Sequence, residues 1–424
     1  MSRENESPAQ MEAAVPPAVR GLSLVSLLND FASEMVYPLL PAFVTRTLGG
    51  GALVLGLIDG ASELTASGLK WVSGRLSDRP GWRSPLILGG YATAVLARPL
   101  IAGASAAWQV VGLRVVDRVG KGIRTPPRDA LIAAVTPLES RGRAFGFHRG
   151  ADHFGAVLGS LMAWWLLREG AEVRSVIASS VIPGVVAFAV LSVVLRGGAG
   201  SRESGVRNWK TVDGSQASAL DSDAPAAPKT ANSPDSRLRA PDSFWPPILA
   251  LTALTFFRLP ETLLILRLED QGVSTVAVPL IWAGLHVVRS ASSYPGGRLS
   301  DRHGARKVVA AGGLLFAIVV FGLGMPIGPA PAIALFLLLG VVAGLTESGE
   351  RSLVARLAPV RTGERFGVYH ALTGLAALPA GLLFGALYQA ESGPAALWVS
   401  ACGMVVAVIT WVSVTSGAIS QRAL

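Results

Sequence analysis

Acidic side chains occur at helical spacing inside apolar stretches of this sequence. Asp30 and Glu34 are four residues apart, and Asp59 and Glu63 have the same spacing in the next apolar stretch. Residues four apart share one face of a helix, and crowded carboxylates bind a proton more readily near neutral pH. These four side chains, together with Asp152 further along the chain, are therefore candidates for carrying protons. The alternative is that they only neutralise nearby basic residues.

A second set of charges follows i, i+3, i+4, i+7 spacing, so that a helix places it within one stripe of roughly 140 degrees. It consists of Arg114, Asp117, Arg118, Lys121, Arg124 and Arg128. A basic stripe that faces a cavity suits an anionic or zwitterionic ligand, although long side chains can also snorkel to the membrane surface. We predict that Arg114 and Arg118 line a substrate cavity, whereas Arg124 and Arg128 are structural. Later in the chain, Arg258 and Glu347 are further candidates for this cavity, because phenylalanines near them offer apolar surface to a substrate.

Histidines lie beside acidic residues in one further stretch. His148 and Asp152 are four apart, and His153 follows directly. A metal site is conceivable, but a protonation switch or a buried histidine is favoured, since no second cluster of this kind occurs. The single cysteine, Cys402, has no CxxC partner. We therefore predict neither a metal nor a cofactor.

The composition is that of a membrane protein. Of 424 residues, 51% are hydrophobic and 15% are charged, whereas soluble domains carry about 25% charged residues. The mean hydropathy is +0.49. The net charge of +9 is explained by basic cytoplasmic loops, so nucleic-acid binding is not predicted.

Twelve stretches are long enough to span a bilayer, which requires about 20 mainly apolar residues. They lie near 20–44, 52–74, 84–106, 108–134, 143–167, 175–196, 244–266, 273–295, 307–327, 331–356, 365–388 and 394–416. The predicted organisation is a cytoplasmic tail (1–18), a six-helix bundle (19–196), a flexible cytoplasmic linker (197–242), a second six-helix bundle (243–416) and a C-terminal tail (417–424). Arginine and lysine concentrate in the connections after even-numbered stretches, which places both termini in the cytoplasm.

A ten-residue pattern occurs twice. GRLSDRPGWR begins at Gly74, after the second stretch, and GRLSDRHGAR begins at Gly297, after the eighth. The copies are 223 positions apart. The chain therefore consists of two related six-helix halves, a plan known among secondary transporters.

This pattern resembles the signature loop of the major facilitator superfamily. The matching residues are Gly74, Asp78, Arg79, Gly81 and Arg83, and in the second copy Gly297, Asp301, Arg302, Gly304 and Arg306. The resemblance implies that Asp78 bridges the halves in one conformation and releases them in the other. For Asp301 a purely topological role is nearly as well supported. Glycines typical of exporters match Gly150, Gly155 and Gly159, but Ser160 stands where those proteins usually carry proline, which weakens the antiporter interpretation.

The resemblance also implies an arrangement of helices, in which helices 1, 4, 7 and 10 line a central cavity and helices 3, 6, 9 and 12 are outermost. The distribution of charged residues agrees with this arrangement of helices. The apolar cores of segments 6, 9 and 12 contain no ionisable side chain, and segment 3 contains only Arg98. Helices without charge can face lipid. The predicted fold is an all-α integral membrane protein of two pseudo-symmetric bundles.

These features predict a secondary active transporter of a small organic solute that works by alternating access. Proton-coupled export by antiport is the leading interpretation, and proton-coupled uptake by symport remains open. A membrane receptor that does not transport and an integral-membrane enzyme are weaker alternatives, and we expect no enzymatic activity. No GxxxxGK[ST] phosphate loop occurs. The expected partners are a small molecule, protons and the lipid bilayer, and the expected state is a monomer in the bacterial inner membrane.

Overall fold

The computed structural model describes residues 15–77, 79, 81–136, 141–196, 244–357 and 362–420. Within these ranges the side chains of 141–143, 301, 348, 351–352, 355–357, 362–366 and 417–420 are not described. The predicted linker at 197–242 and the signature-loop residue Asp78 lie outside the described residues.

Twelve helices, α1 to α12, make up the described part of the chain. Nine of them are continuous: α2 (Ala52–Ser77), α3 (Arg83–Ala102), α4 (Ala107–Ala134), α5 (Arg141–Arg168), α8 (Val278–His303), α9 (Ala305–Gly324), α10 (Pro329–Leu357), α11 (Thr362–Ala390) and α12 (Gly393–Ser420). The other three are interrupted: α1 (Pro17–Val36, extended by short helical turns over Tyr37–Leu39, Leu40–Ala42 and Phe43–Thr47), α6 (Val173–Ser179 and Val181–Val194) and α7 (Trp245–Phe256 and Glu261–Asp270).

Proline explains the interruptions in α1 and α7. Proline has no N–H to donate and disfavours helical geometry at the residue before it. Pro38 lies where α1 tightens into a 3₁₀ turn, and Pro260 lies where α7 breaks. The two prolines are 222 positions apart, within one residue of the 223 positions that separate the two copies of the ten-residue pattern. The stretch predicted near 244–266 is a candidate membrane span over Trp245–Asp270, and the structure adds an interruption that was not predicted.

Eight helices are long and apolar enough to cross a membrane by length and composition. The remaining four are α1, α4, α5 and α8, and each contains several ionisable side chains. Their charged side chains make ion pairs and hydrogen bonds with other helices, so the cost of placing charge in a bilayer is reduced. The fold is a twelve-helix, all-α membrane protein, as predicted.

The signature loops are shorter than the sequence suggested. Gly81 and Gly304 have φ of 79° and 86°, so these glycines make the turns. Gly74 and Gly297 lie inside α2 and α8. The stretches predicted to end near 74 and 295 continue as helix to Ser77 and His303, so the change of direction falls at the later glycine.

Large apolar side chains cover the outside of four helices. Leu96 on α3, Ile182 on α6, Ile318 on α9 and Val406 on α12 are all exposed. These are the helices that the low charge of their sequences predicted at the lipid-facing side. Exposed large apolar side chains also lie on the charged helices, among them Trp108 on α4 and Phe154 on α5.

The two halves meet chiefly along α2 and α11, with a second contact between α5 and α8. A Cβ added to Gly56 would lie 2.0 Å from the carbonyl oxygen of Gly381, and one added to Gly381 would lie 2.1 Å from that of Gly56. Gly60 and Gly385 make similar backbone approaches. We call these four residues the glycine seam. Only glycine permits two helix backbones to approach this closely.

Candidate transport site

Glu34 of α1 contacts the second half of the molecule. Its carboxylate accepts a hydrogen bond from Nε1 of Trp282 at 2.8 Å and lies 3.8 Å from Nε2 of His286, both on α8. The ring of His153 on α5 is centred 6.4 Å from that of His286. Ionisable groups from both halves therefore meet inside the membrane-spanning region.

Asp59 also crosses between the halves. It accepts hydrogen bonds from the backbone N–H of Thr262 at 3.0 Å and from the Thr262 hydroxyl at 2.8 Å. Tyr37 of α1 donates a third hydrogen bond to it at 3.1 Å. Because Thr262 lies in the first turn of the second segment of α7, this carboxylate occupies the position of a helix cap.

The other predicted proton carriers have partners within the first half. Asp30 accepts a hydrogen bond from the side chain of Asn29 at 3.0 Å. Glu63 is exposed and accepts one from Ser67 on its own helix at 2.9 Å. Asp152 lies 3.8 Å from His148 on α5. Of the five predicted carboxylates, only Glu34 and Asp59 make a described ion pair or hydrogen bond with the second half.

Asp117 is the centre of a buried ionic cluster. It lies 2.9 Å from Arg98, 3.2 Å from Arg114 and 3.9 Å from Arg118. Arg98 of α3 also donates to the backbone oxygen of Asn29 at 2.8 Å. Arg98 of α3 thus points inward and joins α1, α3 and α4.

The two arginines predicted to line the cavity differ in how far their side chains are exposed. Arg114 is fully buried, and its guanidinium lies 5.3 Å from the ring of Tyr37. Arg118 keeps part of its side chain exposed. Only Arg118 is therefore accessible to a ligand here, and the cavity role of both stays a prediction.

The remaining arginines of α4 make contacts of a structural kind. Arg124 donates to the backbone oxygen of Gly90 at 3.2 Å and lies over the ring of Tyr91. Arg128 pairs with Asp129 at 2.9 Å and donates to Ser26. These contacts fit the role predicted for them.

No metal centre is visible in the described part of the chain. His148 is buried, and its Nδ1 lies 3.3 Å from the hydroxyl of Ser23. No group of three or more histidine, cysteine, aspartate or glutamate side chains in the described residues could hold a metal ion.

A cavity lies within the second half, beside the break in α7. The charged residues on its wall are Arg258, Glu261, Arg289 and Glu347. The predicted cavity residues Arg258 and Glu347 are thus brought together, and they are joined by Glu261 and Arg289, which are also charged residues within apolar stretches of the sequence. Its apolar wall includes Trp282, Phe316 and Phe336.

Signature-loop residues lie at the ends of helices away from this cavity. Arg79 and Gly81 lie in the connection between α2 and α3, and Arg83 begins α3. In the second copy, Arg302 lies in the last turn of α8, and Arg306 donates to the backbone oxygen of Val412 on α12 at 2.7 Å. The side chains of Asp78 and Asp301 lie outside the described set, so their roles stay predictions.

Contacts between the halves also close the end that carries the odd-numbered connections. Arg46, in the last helical turn of α1, lies 3.4 Å from Glu269 on α7. The side chain of Gln389 on α11 accepts a hydrogen bond from the backbone N–H of Leu53 at 3.2 Å. The cross-half contacts of Glu34 and Asp59 extend this closure towards the middle of the molecule.

Comparison with known proteins agrees with this architecture. The sequence profile of the Major Facilitator Superfamily matches residues 22–288 and 262–422. The chain belongs to this superfamily. It is accordingly a multi-pass membrane transporter and not an enzyme, and transporters of this superfamily bind small-molecule substrates.

Similar proteins align with this transporter over a third of its length or more. An uncharacterized MFS-type transporter of Methanocaldococcus jannaschii is 27% identical over 383 residues, which cover 87% of each chain. The multidrug resistance protein MdtH of Photorhabdus laumondii is 33% identical over 143 residues, 34% of this chain and 35% of that protein. Among solved structures, an inward-facing bacterial homolog of the lysosomal transporter Spinster has a TM-score of 0.65 at 17% identity, covering 98% and 97% of the two chains. At that identity the likeness concerns the fold alone.

Proposed function

We propose that this transporter exports a small organic solute across the bacterial inner membrane in exchange for protons. The observation that carries the proposal is the contact of Glu34 with Trp282 and His286. The carboxyl group of Glu34 can gain or lose a proton, and it is part of the contact between the halves at the end that carries the odd-numbered connections. Protonation therefore changes the relative stability of the two access states, as coupling requires.

The closed end indicates which side of the membrane the cavity faces in this conformation. With both termini in the cytoplasm, as the distribution of arginine and lysine predicts, the odd-numbered connections lie outside the cell. Closure at that end corresponds to an inward-facing state. In that state a solute from the cytoplasm reaches the cavity before the halves rock about the bound solute.

Export is favoured over uptake by one comparison. Over about a third of its length the chain resembles MdtH, which is named a multidrug resistance protein. Proton-coupled uptake uses the same carboxylates and differs only in the direction of solute movement, so a directional measurement separates the two.

The test is transport in proteoliposomes with an imposed pH gradient and a panel of labelled solutes. A pH-sensitive dye inside the vesicles reports proton movement at the same time. Antiport predicts opposite movement of solute and protons, and symport predicts movement in the same direction. Solute binding without any movement would support a receptor instead.

A matched pair of variants links the result to the contact. Glu34→Gln removes the titratable group while keeping an acceptor for Trp282, and we expect it to abolish proton-driven accumulation. Glu391→Gln changes an exposed glutamate in the α11 to α12 connection and should transport normally. Full coupling in Glu34→Gln would overturn the proposed role of this contact.

A further inference from the structure

The cavity in the second half has charges of both signs on one wall. Its four charged side chains are all partly exposed: 36% for Arg258, 47% for Glu261, 26% for Arg289 and 31% for Glu347. Each is therefore available for contact with a ligand while remaining next to partners of opposite charge.

Ion pairs join these side chains to one another and to α10. Arg289 lies 3.8 Å from Glu261 and hydrogen-bonds to Glu347. Arg258 lies 3.1 Å from Glu350, which also accepts a hydrogen bond from Tyr369 at 2.8 Å. A ligand with both charges can exchange partners with these pairs and leave the total charge unchanged. A singly charged ligand adds a net charge to a membrane-embedded site, which is unfavourable.

The break in α7 explains why charges reach this wall. Arg258 lies in the interruption, and Glu261 is the first residue of the helix segment that follows Pro260. Discontinuous helices near the middle of a transporter are frequent elements of substrate sites, because their free ends can contact a ligand.

The repeat explains why the cavity lies in the second half. The positions 222 residues after Arg114 and Arg118 are Phe336 and Gly340, and both line the cavity. The equivalent helix therefore carries an aromatic ring and a glycine where α4 carries two arginines. This exchange leaves open space in the second half that the side chains of α4 fill in the first.

Most of the remaining lining of the cavity is apolar. The rings of Trp282 and Phe336 are centred 6.2 Å apart, and Phe316 and Leu285 extend the same surface.

We propose that this cavity binds a zwitterionic organic solute with an apolar body. The ammonium of the solute pairs with Glu261, its anionic group pairs with Arg258, and its body packs against Trp282 and Phe336. The inference names the substrate class of the transport activity proposed above and rests on it.

The test is equilibrium binding to the purified full-length protein in lipid nanodiscs, with no pH gradient. Two matched sets of probes share a body and differ in charge: phenylalanine, phenethylamine and phenylpropanoate, and leucine, isoamylamine and isocaproate. In at least one set the zwitterion should bind about tenfold or more tightly than its cation or its anion, because each extra charge-assisted contact contributes about 1.5–3 kcal/mol.

Two variants test which residue binds each charged group of the solute. Glu261→Gln should weaken binding of the zwitterion and the cation but not of the anion, and Arg258→Gln should weaken the zwitterion and the anion but not the cation. Glu391→Gln is the control and should change none of these affinities.

Three results would overturn the inference: equal or tighter binding of the cation or anion in both sets, no binding of either zwitterion, or equal loss of all three charge types in Glu261→Gln. Since no gradient is present, failure of proton coupling does not affect the measurement. Zwitterion binding without proton flux would leave this inference standing and reject the proposed antiport.

Discussion

The carboxylate of Asp59 in the first half caps a helix of the second half through both the N–H and the hydroxyl of Thr262. Side-chain oxygens satisfy the free N–H groups at a helix N-terminus, and a negative charge there is further favoured by the helix dipole. Asp59 was predicted only as a proton carrier. The structure adds a mechanical role, since the cap exists only while the halves touch at this end.

Loss of this cap should loosen the second segment of α7. In Asp59→Ala we expect faster hydrogen–deuterium exchange over Glu261–Asp270, because the first-turn N–H groups lose their acceptor. Glu63→Ala, whose described hydrogen bond stays within α2, is the control. Unchanged exchange in Asp59→Ala would show that water or another group satisfies this helix end.

The glycine seam should tolerate no added methyl group. In Gly56→Ala the new Cβ meets the backbone of Gly381, and overpacking of this kind costs about 1–3 kcal/mol. We expect a lower midpoint of thermal unfolding in detergent. The control is Gly68→Ala on the same helix, because no atom lies within 4 Å of the added Cβ there. Equal midpoints for the two variants would mean that α2 and α11 separate without loss of stability.

Asp117 should be the most sensitive carboxylate for folding. Asp117→Asn leaves the buried guanidiniums of Arg98 and Arg114 without their counter-ion, and breaking a buried ion pair costs about 3–5 kcal/mol. Thermal unfolding and yield after membrane extraction measure the effect. The partly exposed Asp129 offers the comparison, since Asp129→Asn should lose less than about 1 kcal/mol. Similar losses in both variants would argue against the cluster as a stabilising centre.

Asp30 and Glu34 are predicted to act together in coupling. They lie one helical turn apart on α1, and in Asp30→Asn or Glu34→Gln we expect loss of accumulation against a pH gradient with counterflow of solute retained. Proton flux and counterflow are measured in the same vesicles. If both variants still accumulate solute, these acids only balance the arginines of α4, and the coupling residue is to be sought at Asp59, Glu63 or Asp152.

The aspartates in the two copies of the repeated loop are predicted to differ in their importance for transport. Asp78→Asn should abolish most transport without preventing membrane insertion, and Asp301→Asn should do less harm. Transport rates are compared at equal amounts of inserted protein. Equal losses, or no loss in Asp78→Asn, would contradict the bridging role that the superfamily resemblance implies for Asp78.

The sequence alone predicted the number of helices and their division into halves, because hydropathy and the repeat are properties of the order of residues. Helix interruptions were missed, although Pro260 is a local signal for the break in α7. The α1 extension to Thr47 was also longer than predicted, since helical turns continue past Pro38 and Pro41.

The partners of the predicted site residues were harder to predict. Glu34 and Trp282 are 248 positions apart, and no local pattern links residues at such a distance. His286 was visible as a charged position in an apolar stretch, but only the packing of α1 against α8 places it beside Glu34. Likewise, nothing in the sequence distinguishes the buried Arg114 from the partly exposed Arg118, because both lie on the same face of α4.

The inward-pointing Arg98 has a consequence for biogenesis. When α3 enters the translocon its guanidinium has no counter-ion, because Asp117 is synthesised 19 residues later on α4. Insertion of an arginine costs about 2.5–3.5 kcal/mol on the translocon scale at the centre of a helix and less towards its end, where Arg98 lies. The two helices therefore favour entry into the bilayer together, as a hairpin whose ion pair forms before either helix is released into lipid.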